Sequence, residues 1–188
     1  MKRVMAAVLA AMVVLAGCTP AAREPDNLAL VRVLGVDGAG PVALTGVCGG
    51  SNQQDVSRGA CLGDSFGIAR EKLPWSGSEE LALTSVSYLL IGADADLTAV
   101  LFAVLEDQEL SASATVWLAQ EGAGAALEPC RDPATDLELL LRQGIHAPTA
   151  AQALEELCAR GEVLLPVVTA REGRLGIGGE GVWRADHG

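Results

Sequence analysis

Read along its length, the chain alternates apolar runs with short polar or glycine-rich breaks, and the spacing within each run separates strands from helices. Leu28–Val36 (LALVRVLGV) and Val42–Val47 are β-rich runs on either side of Asp37-Gly38-Ala39-Gly40-Pro41, a set of turn residues. Together they predict a β-hairpin. Gly49–Gly63 (GGSNQQDVSRGACLG) is polar and glycine-rich and predicts a loop. A short helix is expected over about Ser65–Lys72, ending before Pro74, because proline disfavours helical backbone in the residue that precedes it. Leu81–Ile91 (LALTSVSYLLI) alternates and then turns continuously apolar, the pattern of one strand entering a core, and Gly92 ends it.

Beyond Gly92 the helical period takes over. Asp94 or Asp96 is positioned to cap a helix whose Leu97, Val100, Leu101, Val104 and Leu105 share one face. Ser111–Leu118 (SASATVWL) predicts a strand, and Gly122–Leu127 one helical turn. Asp132 stands before Pro133 as a cap before proline at the first helical position, and Gly144 ends that helix. Thr149-Ala150-Ala151-Gln152 reads as a capping box for a helix with Leu154, Leu157 and Cys158 on one face and Gly161 past its end. Val163–Thr169 and Leu175–Trp183 close the chain as strands. The expected class is α+β (mixed α/β): a single domain over residues 28–185, with a mixed or mainly antiparallel sheet carrying helices.

The first eighteen residues follow a different rule. Lys2 and Arg3 form a positive start, Val4–Leu15 is wholly apolar, and Leu15-Ala16-Gly17-Cys18 follows. This layout is a secretory signal. The tetrapeptide resembles the lipobox of bacterial lipoproteins, where small residues admit a peptidase and the cysteine thiol takes a diacylglycerol. The resemblance makes Cys18 the lipidation site. A membrane span is the competing reading, since a helix needs about 20 apolar residues to cross. The uncharged stretch reaches Ala22, but Gly17, Thr19 and Pro20 interrupt it. The expected organisation is a signal peptide over 1–17, then the lipidated cysteine and a tether over 18–27. Fully extended, Thr19–Asn27 spans roughly 30 Å at about 3.3 Å per residue. Two acyl chains suffice for stable anchoring at the outer face of a membrane.

Charge narrows the partners. Of 13 basic residues, Lys2 and Arg3 leave with the signal, so eleven face 24 acidic ones and the mature net charge is −13. Such a surface repels phosphate backbones and anionic headgroups, which excludes nucleic acid and leaves the lipid as the membrane contact. Only 3% of residues are aromatic, so the core must be built from Leu, Val and Ala. Cys48, Cys61, Cys130 and Cys158 follow Cys18. An even number outside the cytoplasm permits disulfides, with Cys48–Cys61 and Cys130–Cys158 the sequence-local choice. Buried thiols behaving as small hydrophobes are the alternative, and the sequence leaves both open. No C-x-x-C occurs, and His146 and His187 have no ligand spacing with any cysteine, so no metal is expected.

Two motifs resemble catalytic signatures. Gly63-Asp64-Ser65-Phe66-Gly67 matches G-x-S-x-G, with His146 or His187 following in the chain order of a triad. A nucleophile elbow needs a buried strand immediately before it, and Ser57–Leu62 does not read as one; Asp64 or Ser65 as a helix cap is the simpler reading. Gly176-Ile177-Gly178-Gly179-Glu180-Gly181 matches G-x-G-x-x-G, but only Val182–Gly188 remain for the helix a dinucleotide requires. Glycines permitting bulges or close packing in a terminal strand are expected there. The Asp94/Asp96 pair reads as capping rather than metal binding. The chain is therefore expected to be no enzyme, with no catalytic, cofactor-binding or metal residues.

One further pattern runs the length of the chain. Arg23-Glu24, Leu28-Ala29-Leu30-Val31 and Leu34-Gly35-Val36-Asp37 follow shortly after Cys18. Tyr88-Leu89-Leu90-Ile91-Gly92 is an apolar run ending in Ile-Gly, and Leu105–Ala112 (LEDQELSA) leads into Thr115-Val116-Trp117. Gly161–Val168 (GEVLLPVV) and Ile177–Trp183 complete the order. This succession resembles the Ger(x)C family, the lipoprotein C subunits of spore germinant receptors, over Arg23 to about Trp183, corresponding to that family's N-terminal domain. The chain departs from the pattern at Glu106-Asp107-Gln108, where the family carries an arginine, and in its four added cysteines. The resemblance implies a non-catalytic, membrane-anchored accessory subunit at the spore inner membrane, in contact with integral-membrane receptor subunits. A lipoprotein that binds a small molecule, for solute sensing or delivery, is the alternative function.

Overall fold

The computed structural model describes residues 28–49, 57–76 and 80–185. The signal peptide, Cys18, the tether and His187 lie outside the described residues.

The chain enters as the expected hairpin. β1 (Leu28–Asp37) pairs antiparallel with β2 (Val42–Cys48), and Gly38 turns between them at φ +79°, where a β-carbon would collide with the Pro41 carbonyl. β3 (Arg58–Gly63) then pairs antiparallel with β2. This corrects the last part, Arg58–Gly63, of the loop expected over Gly49–Gly63, and the absence of a strand before Ser65; residues 50–56 of that loop lie outside the described residues. As an edge strand with exposed Arg58, Ala60 and Leu62, β3 takes its stability from backbone pairing, so it carries little hydrophobic signal.

α1 (Phe66–Lys72) and a 3-10 turn (Leu73–Trp75) lead to a second correction. Leu81–Ile91 is not one strand but β4 (Glu80–Ala82), a 3-10 turn (Leu83–Ser85) and β5 (Tyr88–Gly92). Both strands run parallel to β1, against successive stretches of it. Between them Val86 N–H donates to the Leu83 carbonyl and the Ser87 hydroxyl to the Ser85 carbonyl. These local bonds compete with a continuous ladder.

The remaining elements are α2 (Leu97–Glu106), β6 (Thr115–Ala119), α3 (Ala123–Leu127), α4 (Pro133–Arg142), α5 (Ala150–Arg160), β7 (Glu162–Arg171) and β8 (Arg174–Arg184). Asp96, Asp132 and Thr149 cap α2, α4 and α5 as their positions predict, the last in a full capping box with Gln152, and Gly161 ends α5 at φ +73°. Two expected face residues are corrected: Leu105 on α2 and Cys158 on α5 are exposed.

The strands form one eight-stranded mixed sheet in the order β3-β2-β1-β5-β6-β7-β8, with β4 on β1. β1, β5, β6 and β7 are mutually parallel, and antiparallel pairs flank them. Leu44, Leu89, Ile91, Val116 and Leu165 face one layer, closed by α1, α2 and α5. Val33, Leu90, Trp117 and Val168 face the other, closed by α3 and α4. The fold is α+β, a sheet between two helical layers. Asp136 ties α4 to the last hairpin: buried, it accepts from Arg174 Nε and from Leu175 N–H, both at 2.9 Å.

This layering decides the cysteines. Cys61 stands opposite Leu44, four residues along β2 from Cys48, or about 13 Å at ~3.3 Å per residue. A disulfide needs Cα atoms within about 7 Å. Cys130 lies in the α3–α4 layer, whereas Cys158 sits on α5 across the sheet. Neither sequence-local bridge forms. Cys61 and Cys130 instead donate to the Ala69 and Ala126 carbonyls, at 3.0 and 3.1 Å, and burial raises both thiol pKa values.

Candidate functional site

The parallel strands give the sheet a carboxyl end and an amino end. At the carboxyl end, where ligands of open α/β sheets ordinarily bind, the last residue of β1 fills the space. Asp37 accepts from Ala123 N–H at 2.5 Å and from Gly124 N–H at 2.7 Å, at the start of α3. Its carboxylate meets backbone N–H groups that no carbonyl of that helix can reach. Gly92, ending β5, must be glycine, since a β-carbon there would collide with the Asp37 carboxylate. Gly122 turns the chain into α3 at φ +96°. In the sequence Asp37 reads as a turn residue, and no local signal could show its role, because its partners lie 86 and 87 residues away.

The catalytic look-alikes resolve into structural parts. Ser65 is exposed in extended backbone and caps α1, its hydroxyl accepting from Ile68 N–H at 3.4 Å. A strand does precede it, but β3 is an antiparallel edge strand. His146 precedes Pro148, whose carbonyl accepts from Val116 near the amino end of β6, whereas Ser65 follows Gly63 at the opposite end of the sheet. The structure does not bring the two together. Gly176–Gly181 runs within β8, with a register shift between Val167 and Val168. A β-carbon at Gly181 would press on Leu118 at 2.8 Å, so close packing and a bulge account for the run. Asp96 caps α2, accepting from Ala99 N–H at 3.0 Å, and Asp94 lies in the turn before it. Among the described residues no group of three or more His, Cys, Asp and Glu is placed to hold a metal ion.

The amino end is open, and sequence reasoning did not single it out. A cleft of about 400 Å³ lies where the β4–β5 connection meets the α2–β6 connection. Thr84, Ser85 and Ser87 line it from the first, Ser111, Ser113 and Thr115 from the second. Val86 and Leu141 supply its apolar surface. Thr115 Oγ1 is held at 2.9 Å by the indole N–H of buried Trp117, and the Ser111 and Ser113 hydroxyls share a bond of 2.7 Å. Tyr88 also borders the cleft, and burial pushes its phenol pKa up, assisted by Glu138 and opposed by Arg32.

Two other clefts differ in chemistry. One, of about 270 Å³, is lined by Asp136, Arg171 and Arg174, and the other, of about 330 Å³, by His146, Glu155, Glu156 and Arg160. Each thus contains charges, whereas no carboxylate, lysine, arginine or histidine lines the hydroxyl cleft. Its groups can donate and accept hydrogen bonds to a neutral polar molecule. No helix among the described residues is long and apolar enough to cross a membrane. No protein-family model, no curated protein and no solved structure matches the chain.

Proposed function

We propose that the chain is a lipoprotein, anchored through Cys18 at the extracytoplasmic face of a membrane, where it is a non-catalytic accessory subunit of a spore germinant receptor-like complex. The observation that carries this reading is Leu15-Ala16-Gly17-Cys18 directly after Lys2, Arg3 and an unbroken apolar run. Support for the accessory role comes from the resemblance to the Ger(x)C family and from Ser65, whose hydroxyl serves a helix cap at the sheet end opposite His146. Anchoring raises the effective concentration of any membrane partner, so a weak contact suffices for occupancy.

In the test, Cys18→Ala abolishes lipid addition and the protein leaves the membrane fraction. Persistence in membranes after alkaline washing overturns the anchoring reading. The receptor role is tested by pull-down of integral-membrane subunits with lipidated and lipid-free chains at equal amounts. Equal recovery by both forms overturns the tethering argument. The alternative, a lipoprotein that binds a small molecule, is favoured by one observation: the uncharged, hydroxyl-lined cleft at the amino end of the sheet.

A further inference from the structure

We propose that the cleft at the amino ends of β5 and β6 binds a neutral, polyhydroxylated small molecule of the sugar or cyclic-polyol class. Its volume of about 400 Å³ falls within the range of about 300–1,000 Å³ typical of small-molecule sites. Two chain segments more than twenty residues apart each contribute three hydroxyl side chains to one concave surface. The same acidic chain, with 24 Asp and Glu, places no carboxylate there.

The hydroxyls are partly oriented in advance. Thr115 Oγ1 already accepts from the Trp117 indole, so its own proton is available to a ligand acceptor. Ser87 spends its proton on the Ser85 carbonyl at 3.2 Å, so its oxygen is available to a ligand donor. Ser111 and Ser113 use one proton between them and have one left to donate. A ligand that alternates donor and acceptor on neighbouring atoms meets this pattern, and vicinal hydroxyls do so. Val86 and Leu141 offer apolar surface to the C–H face of such a ring. A carboxylate or phosphate would find no cation in the lining itself, because Arg32, behind it, is engaged with the Tyr88 hydroxyl and Arg142 is accompanied by Glu138. A wholly apolar ligand would strand the hydroxyls.

Trp117 provides the readout, because its indole is bonded to a cleft residue while Trp75 and Trp183 lie outside the cleft. The full-length chain is labelled with 5-fluorotryptophan and held in an amine-oxide detergent, which has no sugar headgroup. The Trp117 resonance is assigned with Trp117→Phe, and the protein is titrated with glucose, N-acetylglucosamine and myo-inositol. At least one of these shifts the Trp117 resonance saturably and leaves those of Trp75 and Trp183 in place. Ser87→Ala and Ser113→Ala each weaken that binding about fivefold to tenfold, and an unchanged Trp183 resonance reports their folding. The proposal is overturned if none of the three probes gives a saturable shift. It is also overturned if glucuronate or an inositol phosphate binds more tightly than its neutral parent, or if both serine variants bind as the parent does. The outcome is independent of whether Cys18 carries lipid.

Discussion

At the carboxyl ends of β1, β5 and β6 the backbone closes around a carboxylate, whereas at the amino ends of β5 and β6 it opens onto hydroxyls. Both ends belong to the same parallel strands and share the same core. At the closed end Asp37 occupies the position an anionic ligand takes in many α/β proteins, in front of the N–H groups that start a helix. At the open end the connections are cut short by side-chain-to-backbone bonds, and the serines and threonines that make those turns also line a cleft. The position of a ligand site in a parallel sheet is thus not settled by strand direction alone. It depends on which end the chain has already satisfied with its own groups.

The sharpest way to break this comparison is at the closed end. Asp37→Ala removes two charge-assisted hydrogen bonds and is expected to cost about 3 kcal/mol of stability, measured by urea unfolding. A loss below about 1 kcal/mol would mean that the carboxylate does not hold the end shut. Gly92→Ala, whose β-carbon meets that carboxylate, is expected to cost about 1–3 kcal/mol alone and less in the Asp37→Ala background. Strict additivity in that cycle would separate Gly92 from Asp37.

At the open end the expected effect is smaller. Thr115→Val removes the acceptor of a buried indole N–H and is expected to cost about 1–2 kcal/mol, with a change in Trp117 fluorescence. An unaltered emission spectrum would show that Thr115 does not govern the indole, and would weaken the cleft as a preorganised surface.

The narrowest effect, confined to alkaline pH and absent at neutrality, concerns Cys130, buried in the α3–α4 layer. Burial above all, and then Asp136, raises its thiol from 9.0 to about 11, against the opposing influence of Arg58. The folded chain therefore holds this proton more tightly than the unfolded chain. The thiol's contribution is complete below pH 9 and is lost as pH rises from 9.0 to about 11. Comparing unfolding of the parent with Cys130→Ala across that window should show a steeper fall in the parent. Parallel curves would place the thiol in a less buried setting than the one described.

Local chemistry was readable in the chain, and long-range chemistry was not. The caps at Asp96, Asp132 and Thr149 and the stop at Gly161 follow from side chains acting within four residues, so neighbouring letters suffice to locate them. β3 escaped notice because edge pairing with β2 stabilises it without an apolar face of its own. The break inside Leu81–Ile91 escaped because its apolar residues satisfy a strand pattern on both sides of a turn made by Leu83–Ser85.

The sequence by itself determined the charge, the composition of the core, most elements and their order, and a signal pattern ending at Cys18. Tertiary structure alone decided which faces and ends those elements share. It put Cys130 and Cys158 on opposite sides of the sheet, joined Asp37 to α3, and gathered hydroxyls from two turns into one cleft. The physical reason is range. A cap or turn is fixed by interactions among near neighbours, whereas a plugged strand end or a cleft exists only after burial of apolar faces has stacked distant segments together.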